Sequence, residues 1–129
     1  MAPMAQDKPF LRATALHVGF AFVVMGGWAA FANRGHGPEA MALAGLTQGT
    51  LSGLITLVLK RGLEAGHARL TGWAARWVPP MVSCVTIAAV LMVLHRLAGT
   101  PEILKTIAVP WTVSTLYAFI YTRTLDRAR

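Results

Sequence analysis

The stretch PEAMALAGLTQGTLSGLITLVLKR, residues 38–61, sets the class of the whole chain. Between Glu39 and Lys60 it runs for twenty residues, 40–59, without a formal charge. At 1.5 Å rise per residue such a run matches a hydrocarbon core about 30 Å thick. A proline and an acid open it, where a missing amide hydrogen costs nothing and negative charge meets the positive end of the helix dipole. Two basic residues close it. The stretch predicts a membrane-crossing helix.

Three further runs follow the same logic: residues 13–32, 78–94 and 103–121. The first starts after Lys8 and Arg12, and its Ala30-Phe31-Ala32 end resembles a signal-peptide cleavage site. It is longer than a typical signal core and reads as a retained span. The third opens at Pro79-Pro80 and closes on His95-Arg96. The fourth follows Thr100-Pro101-Glu102 and holds Pro110 in its interior, where a kink is expected. Composition agrees, since 55% of the 129 residues are hydrophobic and 13% charged, about half the charge of a soluble domain. The expected fold class is all-α: an integral membrane four-helix bundle forming one transmembrane domain over residues 1–129.

Charge predicts orientation. Lys8, Arg12, Lys60, Arg61, Arg69, Arg76, Arg123, Arg127 and Arg129 fall on one side of such a bundle, and only Arg34, Arg96 and Lys105 on the other. The positive-inside rule then places the N terminus, the C terminus and the central connection in the cytoplasm, in a multi-pass protein of a bacterial inner membrane. A net charge of +7 would raise nucleic acid as a partner for a soluble protein. Flanking apolar spans, it points to anionic lipid head groups of the bilayer instead, and no nucleic acid partner is expected.

The central connection carries its own pattern. Leu63, Leu70, Trp73, Ala74, Trp77 and Val78 share one helical face, with Arg69 and Arg76 at its sides. Residues 63–77 therefore read as an amphipathic helix on the cytoplasmic leaflet, with Trp73, Trp77, Arg69 and Arg76 as interface anchors. The other reading of the same residues is an extension of span two beyond the lipid.

An offset of 62 residues lays Gly49-Thr50-Leu51-Ser52-Gly53-Leu54 over Trp111-Thr112-Val113-Ser114-Thr115-Leu116, and Arg61-Gly62-Leu63-Glu64 over Arg123-Thr124-Leu125-Asp126. With one residue of gap, Pro38-Glu39 meets Pro101-Glu102. The bundle then consists of two helical hairpins related as a parallel repeat, both entering from the same side.

Two groups of residues are candidates for function. Gly45, Gly49 and Gly53 recur every fourth residue and give a face on which another backbone can approach closely, within the chain or across an oligomer contact. Gln48 is the most polar side chain near the middle of any span, and a buried amide in lipid needs a partner. The repeat sets it opposite Pro110, whose missing amide hydrogen frees a carbonyl on span four. A polar midplane site between spans two and four is expected from Gln48, Thr50 and Ser52 with Pro110, Thr112 and Ser114. The competing reading is a hydrogen-bonded tie between helices.

Other chemistry is not expected. Cys84 has no partner in the chain for a disulfide. His17 and His95 fall at opposite ends of their spans, which disfavours a haem held by both, and no metal or cofactor is expected. No acid and no nucleophile with its base lies at membrane depth, so no catalytic residue is assigned and the chain is not expected to be an enzyme.

In size, in its two hairpins and in basic residues after spans two and four (Lys60-Arg61 and Arg123), the chain resembles the GtrA-like proteins of lipid-linked sugar translocation. The Asn-Phe element before those arginines is absent here, so the resemblance is one of layout and no membership follows. It implies a small translocation or flippase-like unit for a small or lipid-linked substrate, acting as a homo-oligomer or with a larger membrane partner. The alternative is a non-catalytic accessory subunit packed against a larger membrane complex.

Overall fold

The structure, a computed structural model, describes the backbone of residues 4–129 and the side chains of residues 8–129. Four long helices follow in order, α1 (Met4–Ala32), α2 (Pro38–Arg69), α3 (Gly72–Leu97) and α4 (Ile103–Arg127), with one 3-10 turn at Arg34–His36. No strand occurs among the described residues. Each helix contains one of the apolar runs, and all four are long and apolar enough to cross a membrane, the make-up of a multi-pass membrane protein.

The helices run up and down, so the 33–37 and 98–102 connections share one end of the bundle. The 70–71 connection and the C terminus share the other. α2 and α4 touch each other across the middle, while α1 and α3 pack on either side of that pair. The apolar core joins α2, α3 and α4 through Leu59, Leu63, Ile87, Leu91, Ile107 and Ala118. None of its buried members comes from α1, which is attached in another way.

That attachment is the glycine face of α2. A methyl group placed on Gly26 of α1 would come within 2.8 Å of the Gly45 carbonyl oxygen. One on Gly49 would lie 3.0 Å from the Phe22 carbonyl oxygen, and one on Gly53 would lie 3.2 Å from Val18. Each step of four residues forward on α2 meets four back on α1, the register of an antiparallel hairpin in backbone contact. In lipid, where apolar burial gives helices no net attraction, such close packing supplies the van der Waals contact that holds them.

The expectation of a separate amphipathic helix over residues 63–77 is corrected. α2 continues unbroken to Arg69, because Leu63 and His67 are buried and keep it against its neighbours beyond Lys60-Arg61. The chain breaks at Leu70 and Thr71, which are extended, and α3 begins at Gly72. Trp73, Arg76 and Trp77 therefore belong to the first turns of α3. Pro79 and Pro80 lie inside α3, not at its start, and both are buried. The Pro79 ring fills the space that the missing side chain of Gly66 leaves on α2.

Candidate functional site

Near the end that carries the 33–37 and 98–102 connections, the bundle holds a row of buried polar side chains. Gln48 of α2 donates from Nε2 to Ser52 Oγ at 2.8 Å, and its Oε1 lies 2.7 Å from His95 Nε2 on α3. His95 Nδ1 is 2.7 Å from the Thr100 hydroxyl. Gln48 and His95 are sealed from solvent and Ser52 and Thr100 nearly so. The amide turns its nitrogen to Ser52 and its oxygen to the ring, and an amide oxygen can only accept. His95 therefore donates through Nε2, and its Nδ1 takes the Thr100 hydroxyl hydrogen.

Local sequence builds this geometry. α3 ends in a Schellman turn, with Thr100 N donating to the His95 carbonyl and Gly99 N to that of Arg96. Gly99 takes a φ of +71°, which a side chain would oppose. The turn folds the chain back so that the hydroxyl of Thr100 reaches the ring five residues earlier.

A second knot ties α1 to α4. Asn33, fully buried at the end of α1, donates from Nδ2 to Thr106 Oγ1 at 2.7 Å and accepts the Glu102 amide hydrogen on Oδ1 at 3.0 Å. It thereby satisfies one of the free amides at the start of α4. Trp28 Nε1 donates to the Lys105 carbonyl at 2.9 Å, and His36 meets Glu102 at 3.3 Å.

At the other end Asp126 of α4 gathers two donors, His67 Nε2 at 2.7 Å and Arg76 Nε at 2.6 Å. The hydrogen bond from His67, then that from Arg76, hold its carboxyl below the ordinary value of 3.8. Arg129 donates to the carbonyls of His67 and Leu70, satisfying the last turn of α2. One turn inward, the Tyr121 hydroxyl donates to Glu64, which Lys60 approaches at 4.0 Å.

The residues expected at a midplane site part company here. Gln48 and Ser52 do meet, but the other partner of the amide is His95 of α3, and Pro110 is not bonded to it. Pro110 is buried inside a helix that runs on continuously through it. Thr50 is exposed, Thr112 is exposed and bonds back to the Ala108 carbonyl of its own helix, and Ser114 is half-buried. The hydrogen bonds thus run between α2 and α3, because α2 is long enough to bring Gln48 level with the last turn of α3. Of the interface anchors, Arg76 pairs with Asp126 and Trp77 lies 6.0 Å from Phe119 between ring centres, while Trp73 and Arg69 are exposed. Among the described residues no three His, Cys, Asp or Glu side chains converge as metal ligands.

Sequence reasoning missed Asn33, His95 and Thr100 as partners. The signal for the latter two was present, since His95 four residues before a glycine and five before a threonine is the spacing of a helix end that turns back on itself. Comparison with known proteins finds no family model that matches the chain, and neither a curated protein nor a solved structure matches it.

Proposed function

We propose that the chain is a non-catalytic subunit of a bacterial inner membrane, with both termini cytoplasmic, that packs its apolar outer faces against a larger membrane protein. The observation that carries this reading is how the interior polar groups are used. Gln48, His95, Thr100, Asn33 and Thr106 spend their hydrogen bonds on one another and on backbone, tying α2 to α3 and α1 to α4. Side chains committed in this way act as ties and do not wait for a ligand. The acids support the same reading, because Glu64, Glu102 and Asp126 each lie against a basic or hydroxyl partner. α1 meanwhile turns Phe10, Leu11, Leu16, Phe20 and Val23 outward.

The two knots also support the parallel repeat. Asn33 and His95 occupy equivalent positions at the 62-residue offset, and each ties the end of the first helix of its hairpin to the opposite hairpin, α1 to α4 and α3 to α2.

A translocation or flippase-like unit is the second reading, favoured by an open apolar groove between α2 and α3. It has a volume of about 470 Å³, runs from Gly66 and Pro79 past Val82 to Val90, and matches an acyl or isoprenoid chain in character. One experiment separates the two. Crosslinking in native membranes, followed by purification, is expected to recover the chain with a fixed second polypeptide, and the pure chain in liposomes is expected to leave fluorescent phospholipid flipping at the protein-free rate. A homo-oligomer alone together with accelerated flipping would replace the first reading with the second.

A further inference from the structure

Arg123 and Arg127 stand one turn apart on α4, exposed, and neither makes a hydrogen bond or ion pair among the described residues. With Arg76 and Asp126 they line a cavity of about 290 Å³ between α3 and α4. Three guanidinium groups face one carboxylate there, and that carboxylate is already shared by His67 and Arg76. The cavity is therefore left with an excess of positive charge. Arg76 and Arg123 also border an adjoining hollow of about 210 Å³, whose other walls are Trp77, Phe119 and Ile120.

The two hollows make one cleft with two chemistries in the order a lipid leaflet has them. Phe119 and Ile120 lie in the last turn of the apolar run 103–121, Trp77 is the residue type that collects at head-group level, and Arg123 and Arg127 lie just beyond. Guanidinium groups hold phosphate oxygens through paired N–H donors. We propose that this cleft is a site for the phosphate of an anionic phospholipid, held by Arg123 and Arg127 with its acyl chain along Phe119 and Ile120. A free phosphate ester shares the head-group chemistry but has no use for the aromatic wall, which is why the lipid is the better match. The site is independent of the function proposed above.

Because Arg123 and Arg127 hold nothing else in the chain, replacing them leaves the fold's own ties in place. The test is to titrate the full chain in detergent micelles with phosphatidylglycerol, phosphatidylcholine or glycerol 3-phosphate. Bound lipid is counted by native mass spectrometry and thermal unfolding is followed in parallel. Phosphatidylglycerol is expected to be retained and to raise the unfolding temperature, with phosphatidylcholine far weaker. In R123Q/R127Q its affinity should fall roughly thirtyfold, and in R127Q alone several-fold, at the usual contribution of a basic residue near a head group. Arg96→Gln at the opposite end should change it little. Equal retention of the two lipids, undiminished affinity in R123Q/R127Q, or an equal loss in Arg96→Gln would overturn the site. Glycerol 3-phosphate matching phosphatidylglycerol would assign it to a soluble anion and overturn the lipid.

Discussion

One hydrogen lies between Gln48 and His95, and the ring supplies it because the amide presents its oxygen there while its nitrogen faces Ser52. Changing Gln48 to Leu leaves that N–H without an acceptor in a sealed site, whereas changing both residues to Leu removes the need along with the bond. Each single change is expected to cost about 1–2 kcal/mol, and the double to cost less than their sum by roughly 1 kcal/mol. Denaturant unfolding in detergent measures this, and strict additivity would mean the two do not touch. Asp126 gives a prediction in pH. Its carboxyl sits below 3.8, so the stability it contributes is present above that value and is lost as pH falls through its lower folded value. Asp126→Asn should remove this acid-side loss and lower stability at neutral pH, read as unfolding temperature against pH. At this scale the sequence showed that Gln48 needed a partner but not which one. His95 was placed only at the end of its span, because the linear reading left open whether residues 63–77 continue span two or form a separate helix, and only the continued α2 sets Gln48 level with the last turn of α3.

The hairpin of α1 and α2 is held by backbone proximity. Gly26→Ala would set a methyl group 2.8 Å from a backbone oxygen, so the helices must part, at a cost of about 1–3 kcal/mol. Gly49→Leu, against Phe22, should cost more, and Val58→Leu on an exposed face little. Thermal unfolding of the three variants checks the order, and equal behaviour would show that the glycine face does not meet α1. Three of these glycines were legible from their spacing. Their partner was not singled out, although Gly26 and Ala30 stand four apart, because two small residues in a run of apolar ones are weak until they face a matching stripe. The boundary between α2 and α3 was misplaced for a related reason. The amphipathic pattern of residues 63–77 is real, but it is divided between two helices: of its apolar face Leu63 is buried by protein while Trp73 and Val78 are exposed, and periodicity cannot distinguish cover by protein from cover by lipid.

At the scale of the whole molecule, four apolar runs separated by charged turns carried the architecture, since length and hydrophobicity are properties of sequence alone. Which helix pairs with which, and through what, rests on tilt and register and had to come from the structure. The basic residues give the proposed orientation, with the 33–37 and 98–102 connections outside. Asn33 and Thr100 are buried and bonded, so labelling probes belong on their exposed neighbours. The most direct measurement places single cysteines at Gly35, Pro101, Ala68 and Ala128, all exposed, in a Cys84→Ala background of intact cells. An impermeant thiol reagent is expected to label positions 35 and 101 from outside and to reach 68 and 128 only after the membrane is opened. Labelling of all four from one side would contradict four crossings, and the reverse pattern would contradict cytoplasmic termini.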